Sequence, residues 1–293
     1  MANLGEPGPP PARRPGAPNR DQEPARDRAG RNLPAAFAVG GGLAVVVLAS
    51  LLLWRPAFLA VIVAAVGVAT WEMVRTVRAT GVHPPLVPLL AGGAAMAVVA
   101  WFWGPEALSL TLLATVLAVV VWRLGDGPDG YQQDLSAATL IAVYVPFLAG
   151  FAALLAAPDD GHRRVLLMLA VVVLTDTGGY VAGVFLGRHQ LAPTVSPKKS
   201  WEGLAGSLLA AGAGGAVGLP LLFGVAWWWG IGFGLAIAGA AVLGDLAESL
   251  LKRDLGVKDM SGLLPGHGGL MDRLDSILFA APTAYLLLSV LAG

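Results

Sequence analysis

Cysteine is absent from all 293 residues, which excludes a disulfide framework, a thiolate metal site and a cysteine nucleophile. Charge is almost as scarce. Only 13% of the residues are Asp, Glu, Lys or Arg, against about 25% in an ordinary soluble domain. So few charges cannot cover a water-facing surface. The 19 basic and 19 acidic residues cancel to a net charge of zero, which argues against an electrostatic nucleic-acid binder. No internal repeat is visible. What the chain has in excess is apolar: 56% hydrophobic residues and a mean hydropathy of +0.70. The sequence therefore predicts an all-α, polytopic membrane protein, and its few charges become the informative part.

Residues 1–32 are rich in Pro, Gly, Ala and Arg and nearly free of large apolar side chains. Such a segment cannot bury enough surface to offset chain entropy, so it reads as a disordered tail. It does not read as a signal peptide, because no cleavage site follows a short apolar core. From Leu33 on, apolar runs near the bilayer-spanning length of about 20 residues alternate with short polar breaks. Nine are expected, near 33–54, 57–76, 84–103, 106–122, 136–157, 165–187, 203–223, 225–251 and 274–292. We divide them into N-terminal helices (33–160) and a C-terminal catalytic region (161–293). Trp54, Trp71, Trp101, Trp103, Trp122 and Trp227 to Trp229 fall near span ends, where interfacial aromatics belong. Glycine-rich stretches such as 211–218 suit close helix packing in lipid.

Cations set the orientation. With nine spans, Arg55, Arg163 and Arg164 lie on one side and the other sixteen of the nineteen basic residues on the opposite side. The positive-inside rule then places the tail and the polar connections in the cytoplasm.

A carboxylate inside an apolar run is costly and marks function. Asp176 follows VLLMLAVVVLT. Asp245, Glu248, Ser249 and Lys252 sit at helical offsets 0, 3, 4 and 7 in the eighth run, on one face. Asp272 and Asp275, three apart at the start of the ninth, share another. Asp245 and Asp272 from adjacent helices would supply the carboxylates that Mg²⁺ takes alongside phosphate oxygens. Glu72, beside Arg75 and Arg78 at a span end, reads as an interfacial charge. All four lysines, Lys198, Lys199, Lys252 and Lys258, occur in two segments, 187–206 and 252–276. A compact ammonium suits phosphate oxygens, and Arg253 and Arg273 add planar donors. The turn containing His267, Gly268 and Gly269 leaves backbone amides able to approach a phosphate. His267 itself reads as a phosphate donor or turn-stabilising residue ahead of a general base.

Residues 249–275, SLLKRDLGVKDMSGLLPGHGGLMDRLD, resemble the signature of the phosphatidate cytidylyltransferase (CDP-diacylglycerol synthase) family without a gap. DTGGY at 176–180, GRH at 187–189 and SPKKSWEG at 196–203 are similar to further motifs of that family, in the same order. Gly179 stands where an alanine is usual and Ser200 where a threonine is usual. The resemblance implies a nucleotidyltransferase of phospholipid biosynthesis, converting CTP and phosphatidate to CDP-diacylglycerol and pyrophosphate. It also implies a homodimer; the site is expected in the cell membrane with magnesium as its cation, and a second, monovalent cation is neither required nor excluded by the sequence. Asp245 and Asp272 are expected to hold the metal. Lys198, Lys199, Lys252, Arg253, Lys258 and Arg273 are expected to neutralise phosphates, with Asp259, Asp275, Ser196 and Ser249 in support. Asp176 either joins the metal site or orients a lysine.

A CTP-dependent polyprenol or phytol kinase would resemble the 249–275 signature only in part. A secondary transporter would place its carboxylates at the bilayer midplane between inverted repeats, whereas here the polar residues crowd one side. A non-catalytic scaffold gives no reason to gather every lysine beside intramembrane acids.

Overall fold

The computed structural model describes residues 33–264 and 268–292. The expected tail at 1–32 and His267 lie outside the described residues. Helix follows helix wherever the apolar runs predict one: α1 (Leu33–Leu53), α2 (Arg55–Arg78), α3 (Leu86–Leu124), α4 (Tyr131–Ala142), α5 (Leu148–Ala156), α6 (Gly161–Leu186), α7 (Trp201–Phe223), α8 (Trp227–Asp254) and α9 (Met271–Leu291). Lipid cannot hydrogen-bond the backbone, so helical closure is what such runs adopt. Among the described residues, seven helical stretches are long and apolar enough to cross a bilayer, and α4 and α5 act as one of them. A π-helical turn at Val143–Phe147 joins those two, where Pro146 removes a backbone donor.

α3 combines two expected runs. Gly104, at φ 85° and ψ −169°, interrupts it just before Pro105. A methyl group added at Gly92 would collide with Thr115, although a straight helix would hold these residues about 35 Å apart. The 39-residue stretch is therefore a helical hairpin that folds back at Gly104. The positive φ there is one that glycine alone adopts readily.

The bundle has two polar ends, and side chains tie each together. At one end Arg55 binds Asp159 at 3.0 Å and also donates to the Ala157 and Pro158 carbonyls. Arg164 joins Asp160 to the Ala292 carbonyl. At the other end the Asp134 carboxylate accepts from the His83 amide, and its second oxygen pairs with Arg123 at 2.9 Å. Arg253 Nε donates to the Val195 carbonyl, and Thr76 Oγ1 donates to that of Met260 at 2.8 Å. This end carries every lysine.

α6 packs on α7, α7 on α8 and α8 on α9, while α9 also meets α5 and α2. The α6–α7 contact is close because Gly178 and Gly206 face each other. A Cβ on Gly178 would lie 2.6 Å from the Gly206 carbonyl oxygen. Small residues serve membrane helix pairs in this way. One departure from an all-helical expectation is a short antiparallel hairpin, β1 (Gln190–Ala192) and β2 (Ser196–Ser200), with Gln190 opposite Ser200 and Ala192 opposite Ser196. It lies between α6 and α7 and carries two of the four lysines.

Candidate active site

The hairpin is fixed at both edges. Ser200 caps α7, its hydroxyl accepting from the Gly203 amide at 3.0 Å, as a serine N-cap does. Glu202, in the first turn of α7, accepts from the Arg188 and His189 amides and pairs with His189 Nδ1 at 2.6 Å. Held this way, β2 points Lys199 across to α8, where its Nζ lies 2.6 Å from Asp245 Oδ2.

The α8 stripe forms as its spacing predicts. Ser249 Oγ donates to Asp245 Oδ1 over a long 3.4 Å. One turn on, Lys252 Nζ bridges Glu248 Oε2 at 2.5 Å and Asp272 Oδ1 at 2.8 Å. Glu248 is fully buried, and its Oε1 has no hydrogen-bond partner among the described residues. The other oxygen of Asp272 accepts from the Met260 and Gly269 amides at 3.0 and 2.8 Å. Asp272 thus closes the α8–α9 connection and orients the Lys252 ammonium. Asp176 on α6 and Asp275 on α9 both lie within electrostatic reach of Asp245.

Two cavities open on this end. The first, of 710 Å³, is lined by Asp176, Lys198, Lys199, Asp245, Lys252, Asp259, Asp272, Arg273 and Asp275. Apolar side chains line it too, Leu169, Val172, Val173, Leu204, Val242 and Ile277, together with the hydroxyls of Ser196, Ser200, Ser207 and Ser276. The second, of 630 Å³, is lined by Lys198, Lys252, Arg253 and Lys258 with Ser249, Val195, Pro197, Gly256 and Val257. Ser196, Lys198 and Lys252 line both. The two cavities therefore meet along a seam of one hydroxyl and two ammonium groups.

For a divalent cation the donors are unequal. Asp245 is partly open to the cavity, and its Oδ1 makes only the long contact to Ser249. Both oxygens of Asp272 are already committed to Lys252 and two amides. Among the described residues no three His, Asp or Glu side chains form a group that would hold an ion. This donor set fits a cation that brings most of its ligands with it, as Mg²⁺ on a triphosphate does.

The structure brings together thirteen of the expected residues around the two cavities, from Asp176 to Asp275. Gly268 and Gly269 are not among the residues lining either cavity. The Gly268 carbonyl accepts from the Leu264 amide at 2.8 Å, and the Gly269 amide is spent on Asp272. A Cβ on Gly179 would meet the Ser207 hydroxyl, and that hydroxyl donates to the Thr175 carbonyl at 2.7 Å. The glycine at this family position accompanies that helix-to-helix tie. Glu72 is not the interfacial charge its sequence position suggested. It is fully buried and accepts from Ser261 Oγ at 2.5 Å and from the Leu270 and Met271 amides at 3.0 and 2.8 Å. No local pattern could reveal this, because its partners lie nearly 200 positions along the chain.

Fold and site together define a polytopic membrane protein with a lysine- and aspartate-lined cavity at one end of its helix bundle. The model of the cytidylyltransferase family matches residues 35–291. The chain is 40% identical to a phosphatidate cytidylyltransferase of Mycobacterium bovis, over 99% of this chain and 98% of that protein. It is 41% identical to that of Mycobacterium leprae over 90% of each. With that of Helicobacter pylori it shares 38% identity over 65% of this chain and 68% of the other. The chain belongs to the cytidylyltransferase family.

Proposed function

We infer that this chain is a nucleotidyltransferase that moves the cytidylyl group of CTP onto phosphatidate, releasing pyrophosphate and forming CDP-diacylglycerol. The observation that carries the assignment of substrates to this site is the seam. A cavity lined in part by apolar side chains meets a polar, basic one at Ser196, Lys198 and Lys252. A two-tailed lipid needs the first kind of surface beside its phosphate, and a nucleotide the second. We place the phosphatidate phosphate in the first cavity, entering along Val173 and Val242. The nucleoside occupies the second, and its triphosphate crosses the seam toward Asp245.

The reaction is an in-line displacement. A phosphatidate oxygen attacks the α-phosphorus, the bond from that phosphorus to the β-phosphate oxygen breaks, and pyrophosphate leaves. A phosphomonoester loses its second proton near pH 6, so the nucleophile is already ionised at neutral pH and needs no strong base. Positioning and charge neutralisation carry the rate. Lys198, Lys199 and Arg273 face the phosphates in the first cavity, and Arg253 and Lys258 hold the nucleotide side. Lys252, fixed by Glu248 and Asp272, stays at the seam. Ser196 and Ser249 offer hydroxyls, while Asp176, Asp259 and Asp275 add carboxylates to the wall of the first cavity. Asp245, with Asp176 or Asp275 nearby, would hold magnesium, which would supply charge neutralisation for the leaving pyrophosphate.

The excess of cations at this end supports a cytoplasmic site in the cell membrane. The homodimer follows the family resemblance and is proposed with it. Purified protein given CTP, phosphatidate and Mg²⁺ is expected to release pyrophosphate and CDP-diacylglycerol in equal amounts. Absence of both products, or CDP with a phosphorylated alcohol, would overturn the assignment. Asp245→Asn is expected to lower turnover by about 10²-fold or more in a protein that still folds.

A further inference from the structure

Three polar features of this end are not used by the proposed reaction: the Arg123–Asp134 tie, the Glu202 anchor and the buried carboxylate of Glu72. The last is the unusual one. Glu72 lies on α2, in the N-terminal half of the chain, with no exposed surface and no cation within ion-pairing distance among the described residues. A buried carboxylate without a counter-ion is costly unless several donors satisfy it. Here three donors do: the Ser261 hydroxyl and the amides of Leu270 and Met271. Those amides belong to the N-terminus of α9, where an anion also meets the favourable end of the helix dipole.

One turn along α2, Thr76 Oγ1 donates to the Met260 carbonyl at 2.8 Å. Residues 72 and 76 share a helix face, so a single face of α2 grips both the outgoing and returning limbs of the α8–α9 connection. Asp272 grips the same limbs from inside, through the Met260 and Gly269 amides. The contact is tight: a Cβ on Gly269 would sit 2.9 Å from both Glu72 oxygens. A side chain at position 269 would push the Glu72 carboxylate away from its donors.

We propose that Glu72, assisted by Thr76, is a positioning residue for the transfer reaction: it clamps the start of α9 so that Asp272 meets Lys252 and Arg273 faces the cavity. It touches no substrate and acts through the backbone. The proposal rests on the transfer function assigned to this cavity, and its test separates the two.

The test uses the full-length protein in detergent or lipid. Glu72→Gln keeps the shape but replaces one acceptor oxygen with an amide donor facing backbone N–H groups. Hydrogen exchange at Leu270 and Met271 is expected to accelerate about tenfold. The kcat is expected to fall by a similar factor, with KM for CTP changed less. Glu72→Asp, which restores two acceptor oxygens on a shorter stem, should recover part of both. Thr76→Val removes one hydroxyl at smaller cost to folding and should lower kcat about threefold. Unchanged exchange in Glu72→Gln overturns the clamp, as does faster exchange with unchanged kcat. So does a Thr76→Val protein unaltered in both exchange and kcat. A wild-type protein that forms no CDP-diacylglycerol overturns the transfer assignment instead, and the exchange measurement then decides the clamp alone.

Discussion

The two ends of the bundle use charge in opposite ways. At the end with few cations, arginines close the structure. Arg55 joins Asp159 to carbonyls of the α5–α6 connection, and Arg164 joins Asp160 to the last described residue of α9's exit, Ala292. Each planar fork is spent on backbone and carboxylate together. At the lysine-bearing end, ammonium groups stand between acids and open space: Lys199 against Asp245, and Lys252 against Glu248 and Asp272, all on cavity walls except buried Glu248. Even there the ion-paired tie away from the cavities, Arg123 with Asp134 and Asp126, uses arginine. Arg55, Arg123 and Arg164 fasten elements away from the cavities, whereas all four lysines, with Arg253 and Arg273, line them. The compact, mobile ammonium can exchange a carboxylate for a phosphate oxygen, whereas a fork bonded to several carbonyls cannot.

Replacing members of each set should expose the contrast, and the largest effect is expected at Lys252. Lys252→Met would leave Glu248 and Asp272 without their cation. Removing one partner from a buried pair costs about 3–5 kcal/mol, and activity is expected to fall by about 10²-fold or more. Thermal unfolding and product formation measure the two losses separately. Retained activity would remove Lys252 from the seam.

Lys199→Met comes next. Its partner Asp245 is partly exposed, so little stability is expected to be lost, while turnover should fall about tenfold. The smallest effect on catalysis belongs to the opposite end. Arg164→Gln should lower the unfolding midpoint by a few degrees, consistent with loss of about 1 kcal/mol from a partly exposed pair, and leave kcat unchanged. A large loss of turnover there would break the comparison.

Much of this contrast was legible in the sequence, because it depends on local spacing. Offsets of 0, 3, 4 and 7 from Asp245 to Lys252 force one helix face whatever surrounds it, and Lys252 duly reaches Glu248. Apolar runs marked the helices because lipid allows the backbone little else. What failed to show was set by partners far along the chain. Glu72 and Leu270 are 198 positions apart, so nothing near Glu72 distinguishes a clamp from a span-end charge. Asp272 was expected opposite Asp245 as a metal ligand, and nothing near it in sequence announces that Lys252 and the Met260 and Gly269 amides reach its two oxygens. The fold-back at Gly104 was half visible. Two runs meeting at Gly-Pro were expected, and only the contact of Gly92 with Thr115 showed that they lie side by side.

Every lysine in the protein is expected to serve one nucleotide- and lipid-phosphate site. Four lysines make this directly measurable. Full-length protein in lipid is treated with a small amine-reactive reagent, with and without CTP and Mg²⁺, and modification at Lys198, Lys199, Lys252 and Lys258 is quantified by mass spectrometry. The account predicts that the nucleotide protects Lys198, Lys252 and Lys258, which line the polar cavity, and that phosphatidate extends protection to Lys199. Equal labelling of all four with and without both substrates would contradict it.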